Sequence, residues 1–327
     1  MKIVGYLPKS IQLLLRQMYS LPALLHYSMY WFLRDLTQSS ITHSKSSCMA
    51  GLLIDSHVLE KGITMPERRM GFGLDKVRNL LIACNNCIIQ YGAGSVEVQS
   101  TLDDFYEYLM IHKLNGYHLP EDIEIEIRNI IKYRKSKSER VNLHITRKQL
   151  FPTCSSFEEF AHSRRTCRYF CADTIDTEVV KHCIDVAMTA PSACNRQSTR
   201  VKIIASDDLK EFVLNLQNGN RGFGRTADKV LLITSIQSAW DMKHRMTACV
   251  DGGIFTMNLL YALHASHIAA CTLNAHFSPA QWKQIQQRLN IDKAEFPIVL
   301  IAIGNAPEEL MIARSSRLKT EDIYTIL

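Results

Sequence analysis

Four apolar runs in the second half of the chain constrain its fold most. Lys229-Val230-Leu231-Leu232-Ile233-Thr234-Ser235 is continuous in β-branched residues and leucine. A strand exposed on one face alternates apolar and polar residues, so this run predicts a strand covered on both. Residues 200–205, 268–273 and 296–304 read as further core strands. Helical spacing falls between them. Residues 177–190 place Val179, Val180, Cys183, Ile184 and Ala187 inward, and 210–216 form a short helix. Residues 250–264 form a long apolar helix in which Gly252-Gly253 allows close packing. Strand and helix alternate, but spacing alone does not order hairpins and crossovers. The fold class is an α+β sandwich.

Before residue 150 the character differs. Residues 37–50 are polar and serine-rich and predict a loop, followed by a short helix ending at Gly62. His57, Glu60, Lys61, Arg68 and Arg69 crowd the approach to Gly71-Phe72-Gly73, which reads as a binding loop or, more plainly, as a solvated surface turn. Helices follow over 74–91 and 96–113, and another starts at Pro120 with Ile123, Ile127, Ile130 and Ile131 on one face. Acids open that last helix and Lys132, Arg134 and Lys135 close it, as the helix dipole favours. Gly92-Ala93-Gly94 follows no strand and is weak as a nucleotide motif. The chain thus divides into a mainly helical extension over 1–150, ending in a basic linker, and an α+β domain over 151–327.

Residues 10–36 are strongly apolar, yet Arg16, Pro22, His26, Arg34 and Asp35 interrupt them. No run of about 18 uncharged apolar residues exists, so two helices meeting near Pro22 fit better than a membrane span. Their aromatic cluster can cover a partner helix or make a peripheral membrane contact. The formal charge of +6 and pI near 8.7 are mildly basic and demand no nucleic acid. Ten cysteines lack a framework of spacings and read as reduced, mostly buried thiols of a cytoplasmic protein. Cys84-Asn85-Asn86-Cys87 has no second CxxC and sits in a helical apolar run, so two cysteines on a buried face account for it better than zinc. No metal site is expected.

Chemistry concentrates in residues 163–197. Ser163-Arg164-Arg165-Thr166-Cys167-Arg168-Tyr169-Phe170 places three guanidinium groups around a hydroxyl donor, the equipment of a phosphate clamp. Ala190-Pro191-Ser192-Ala193-Cys194-Asn195-Arg196-Gln197 follows a helix and offers small and amide side chains suited to the edge of a flat polar ring. Together they suggest a mononucleotide cofactor. A charged helix start followed by an ordinary turn is the bland alternative for either half alone.

These residues resemble the FMN-dependent nitroreductase family over about 156–327. The likeness rests on the Arg-Arg-Thr-x-Arg-x-Phe start, the Ala-Pro-Ser-Ala-x-Asn-x-Gln loop, the segment 272–276 and the late Arg317. It implies a sandwich with a central mixed or antiparallel sheet flanked by helices, a homodimer with FMN at its interface, and NAD(P)H as co-substrate. By the same resemblance Arg164, Thr166 and Arg168 hold the phosphate and ribityl chain, Arg165 lies between them, and Arg317 closes on the phosphate. Pro191, Ser192, Ala193, Asn195 and Gln197 match the loop that reaches the flavin ring of the other subunit. Ala275 aligns with the backbone N–H that points at flavin N5, and Asn274 stands where many members carry Glu. Arg221 and Arg225 are candidates for the cation near flavin N1. Residues 57–73 also resemble the extension of nitroreductase-like proteins encoded with polysaccharide-synthesis genes.

The implied reaction is ping-pong hydride transfer from NAD(P)H to an electron-poor acceptor, nitro- or quinone-like. A flavin supplies that chemistry itself, so no Ser-His-Asp set is needed. Arg314-Ser315-Ser316-Arg317 lacks the usual Lys/Arg-Pro pattern, and the extension can cover the open flavin face. The alternative is therefore a flavin-binding scaffold, narrow or inactive in catalysis, attached to a polysaccharide-synthesis or membrane assembly.

Overall fold

The computed structural model describes residues 45–136, 142–240 and 245–327, together with Leu25 and Met29. The helix pair and membrane contact expected over 10–36 lie outside the described residues, save those two, which are helical and exposed.

The central sheet has the order β2 (Thr199–Ile204), β3 (Lys229–Ile236), β5 (Glu295–Gly304), β4 (Ala269–Asn274), antiparallel throughout. The unbroken apolar runs follow from cover on both faces. Val230, Leu232, Leu300 and Ala302 point to a core completed by α8 (Asp207–Leu216) and α10 (Pro279–Arg288). Their neighbours Leu231, Ile233, Ile301 and Ile303 point to the other core, against α7 (Thr177–Ala187) and α9 (Arg245–Ala265). The register shifts between Ile233 and Thr234, where Pro297 opposes Thr234. β4 pairs only with 299–304, so Pro297 has no N–H to offer on a side where no strand lies.

The extension packs α1 (Lys45–Ile63), α2 (Leu74–Tyr91), α3 (Val96–Leu114) and α4 (Glu121–Ile130) around Leu52, Leu80, Phe105, Tyr108, Ile123 and Ile127. Three expectations are corrected. The serine-rich loop over 37–50 gives way to helix from Lys45, and that helix passes through Gly62 to Ile63. Gly62 is required there for closeness: a Cβ would stand 2.3 Å from the Phe72 ring. The cysteines are not all thiols, because Cys48 of α1 forms a disulfide with Cys87 of α2. Closing that 39-residue separation removes unfolded-chain entropy worth about 4 kcal/mol. Cys84 stays free, and burial pushes its thiol up to about 12.

The first 150 residues, expected to be mainly helical, also contain one strand. β1 (Leu143–Thr146) pairs antiparallel with β6 (Glu309–Ile312), Leu143 opposite Ile312. Four residues are too few to show a period. A four-residue turn, α5 (Arg147–Leu150), follows, and α6 (Phe157–Ser163) leads into the arginines.

Polar groups join the extension to the segment after β6. Asp103 accepts from Arg314 at 2.9 Å and also pairs with Arg134. Glu107 accepts from the Asn142 side chain at 2.7 Å, and Asn142 accepts from the Arg314 N–H at 3.0 Å. Asp104 takes the Ser56 hydroxyl, but its Oδ1 has no partner. Burial, with the charge of Glu60, pushes Asp104 well above the usual carboxylate range. A folded pKa above the unfolded one means a penalty absent in acid that grows as pH rises. Asp104→Asn should therefore stabilise the protein by about 1–3 kcal/mol at neutral pH, the gain fading toward acid. Thermal midpoints of both proteins from about pH 5 to about pH 8 check this, and parallel curves would contradict it.

Candidate functional site

The arginine segment runs without helical structure from Arg164, anchored beside the sheet. Cys167 N–H donates to the Ala270 carbonyl at 3.0 Å, Cys171 N–H to Asn305 at 2.9 Å, and Phe170 N–H to the Thr226 hydroxyl at 3.3 Å. Cys167 and Phe170 are buried in the core, while Arg164, Arg165, Thr166 and Arg168 remain half-buried at its edge. The packing of the apolar pair thus fixes where the cations emerge.

Arg164 and Arg168 can stand up to about 13 Å apart along four residues of chain, and they define two stations. At the first, burial lowers Arg164 from its ordinary value, and the positive charges of Arg317 and Arg165 lower it further. Among the described residues no carboxylate lies within ion-pair distance of Arg164, Arg165, Arg168 or Arg317. Guanidinium groups that repel one another in this way suit a dianion, and the donor set fits an FMN phosphate. His264 of α9 accompanies them. Its Nε2 is 2.7 Å from Ser163 Oγ, Phe151 and Phe160 flank its ring, and burial with the charge of Arg164 lowers it to about 4. It is neutral at physiological pH and adds no charge to the clamp.

At the second station Arg168 meets the extension. Its Nη2 lies 3.2 Å from His57 Nε2. Glu60 accepts from the Ser315 N–H at 2.7 Å and is 3.4 Å from His57 Nδ1. Burial raises Glu60, but the bonds from His57 and Ser315 outweigh it and hold the carboxyl low. Lys61 donates to the Gly219 carbonyl and lies 5.1 Å over the Phe223 ring. Burial lowers Lys61, and the Arg168 charge adds to this. Asn274 closes the same side: it is exposed, and its carbonyl accepts from Gln217, whose Oε1 accepts from Gly219 N–H at 2.6 Å. Ala275 beside it is half-buried. A groove of about 530 Å3 opens next to Arg168, lined among others by Thr64, Arg68, His144 and Met311.

The Pro191–Gln197 stretch is elsewhere. Cys194, Asn195 and Gln197 adopt left-handed φ of 53°, 53° and 48°, strain that non-glycine residues carry at about 1–3 kcal/mol each. Bonds hold it: Ala193 N–H to Asp251 at 3.0 Å, Gln197 N–H to Ser192 Oγ at 3.0 Å, and Gln197 Nε2 to Asn195 Oδ1 at 3.0 Å. Arg196 stacks on Trp240 at 4.7 Å. Pro191, Asn195 and Gln197 are exposed. Asp251, which holds this loop, and His264, which holds the clamp, are 13 positions apart on α9, about 20 Å along the axis. The structure therefore brings Arg164 within electrostatic reach of Arg165 and Arg317, and Arg168 against His57 of the extension, and it anchors the polar loop at the far end of α9 from the first station.

Of the two candidates for a flavin cation, Arg225 is strongly exposed and faces Glu211 at 3.7 Å, and Arg221 is exposed. The sequence reasoning missed His57, Glu60 and Lys61 as parts of this cleft. Their density before Gly71 was the signal, and the surface-turn reading is the one corrected here.

The Nitroreductase family profile matches residues 161–217. The fold resembles a nitroreductase family protein from Streptococcus pneumoniae at 18% identity, over 53% of this chain and 100% of that one, with a TM-score of 0.45. It also resembles a protein assigned as a nitroreductase from Desulfovibrio desulfuricans, solved in complex with FMN, at 19% identity over 54% and 98% with a TM-score of 0.45. A protein assigned as an NADH oxidase from Clostridium acetobutylicum matches at 17% identity over 50% and 97%, with a TM-score of 0.43. No curated protein matches the chain.

Proposed function

We propose that this chain is an FMN-dependent oxidoreductase that works as a homodimer, taking electrons from NAD(P)H and passing them to an electron-poor acceptor of nitro or quinone type. The observation that carries the reading is the cluster of Arg164, Arg165 and Arg317, without a carboxylate partner among the described residues; Arg164 and Arg165 lie inside the segment the Nitroreductase family profile covers. FMN supplies the two-electron chemistry when bound. Arg164 and Arg317 neutralise its phosphate, Thr166 offers a hydroxyl donor, and Asn274 and Ala275 border the cleft.

Distance supports the dimer. A polar loop whose anchor Asp251 lies about 20 Å along the helix from its own chain's clamp is suited to the cleft of a second copy. An apolar row exposed among the described residues supports this: Met246, Val250 and Ile254 recur every fourth residue of α9, beside Val186 of the neighbouring α7 and Met188 just past its end. We place the protein in the cytoplasm, where thiol reductants would open the Cys48–Cys87 tie and remove its stabilisation.

The docking of α1 against the cleft favours a second reading, a flavin scaffold narrow or inactive in catalysis. One experiment separates the two. Purified protein should be yellow, with the absorbance of oxidised flavin, and NAD(P)H should bleach it without oxygen. Colourless protein that retains no added FMN overturns both readings; yellow protein that NAD(P)H leaves unbleached selects the scaffold.

A further inference from the structure

Nothing in a flavin-binding sandwich requires the helical extension, yet the C-terminal end of α1 and the residue Met65 just past it are built into the cleft at four points. His57 contacts Arg168 at 3.2 Å, Glu60 fixes the Ser315 N–H at 2.7 Å, and Lys61 donates to Gly219 O. Met65, just past the helix, packs so closely on Gly222 that a Cβ there would stand 2.9 Å from its Sδ. The loop 217–225 and the segment 314–317, far apart in sequence, are thus held by adjacent residues of one helix and by Met65 just past it.

We infer that Lys61 is a cofactor-site residue: together with Arg168 it forms a second cationic station that stabilises negative charge on the flavin ring, while Arg164 and Arg317 hold the phosphate. The inference rests on the proposed function. Its geometric ground is that Arg221 and Arg225, the basic residues of the loop itself, are exposed, whereas Lys61 is half-buried against that loop and above Phe223. An ammonium held close to a second cation without an ion-paired carboxylate is costly in isolation and is relieved by an anion. Lys61 and Arg168 both bear on the Cys271 thiol, which places them beside the strand that leads into Asn274 and Ala275. Reduced flavin is anionic at its pyrimidine edge, so a cation there favours the reduced form.

The test compares wild type, Lys61→Gln and Lys61→Arg, each loaded with FMN. The readout is the midpoint potential of the bound flavin, measured with no substrate present. Lys61→Gln should favour the oxidised form about tenfold more than wild type, a shift of about 30 mV to the negative side for a two-electron couple. Lys61→Arg should return most of that shift, which a role confined to holding the helix would not explain. An unchanged potential in Lys61→Gln overturns the inference and leaves the proposed function standing. So does tighter FMN binding in Lys61→Gln than in wild type, because Lys61 would then be an occupant of the cleft that FMN displaces. Wild-type protein that takes up no FMN overturns the proposed function itself, and is recognised by its missing visible spectrum before any potential is measured.

Discussion

Replacing Arg164 and Arg317 together with alanine should weaken FMN binding at least about a hundredfold. Each charge-assisted bond to a phosphate contributes about 1.5–3 kcal/mol, and the exposed Arg317 belongs at the low end because solvent screens it. Arg164 is half-buried beside His264, so its loss is felt more. The fold should survive, since removing one of several crowded cations relieves repulsion. Equilibrium dialysis with FMN measures the effect. Arg225→Ala is the control: it loses only a distant contact to Glu211 and should retain FMN as wild type does. Equal retention by the double variant would show that the phosphate binds elsewhere.

Gly304→Ala should be strongly damaging for a single added methyl group. Gly304 ends β5, and a Cβ there would stand 2.6 Å from Phe170 Cβ and 2.7 Å from its Cγ. Phe170 is buried and close-packed, so backbone must move, at about 3 kcal/mol. The thermal midpoint should fall by several degrees. Arg168 is two residues from Phe170, so the displacement also spreads the clamp, and FMN affinity should fall with stability. Gly51→Ala is the matched control, with nothing within 4 Å of the new Cβ inside a helix, and should be neutral or slightly stabilising. A Gly304→Ala protein as stable as wild type would mean that Phe170 is free to leave its site.

Legibility in the sequence followed physical scale. The four core strands were readable because burial on both faces leaves a continuous apolar signature, and their observed limits differ from expectation by a residue or two. α9 was readable in its centre for the same reason. β1 and β6 were not, since a pair of four-residue strands forms only when residues far apart in sequence meet. α10 was missed because its exposed face is polar and only Ile285 is fully buried. The arginine motif announced itself through residue type, and Arg164, Arg165 and Arg317 do converge. The role of α1 was hidden for a different reason. His57, Glu60 and Lys61 look like any solvated charge cluster until the partners Arg168, Gly219 and Ser315 are known, and each of those lies more than a hundred positions away.

The join between β1 and β6 has a consequence for the order in which the protein is made. The contacts that complete the extension, Leu143 with Ile312, Asp103 with Arg314 and Glu60 with Ser315, span up to 255 positions. On the ribosome, α1 to α4 emerge early, carrying buried-to-be carboxylates at Asp103, Asp104 and Glu107, before Arg314, the partner of Asp103, and Asn142, the partner of Glu107, have been synthesised. The helices made first therefore settle late, after residues 309–316 clear the exit tunnel, and such non-local closure is slow. A premature stop before residue 309 would release a chain whose extension and cleft are both unfinished.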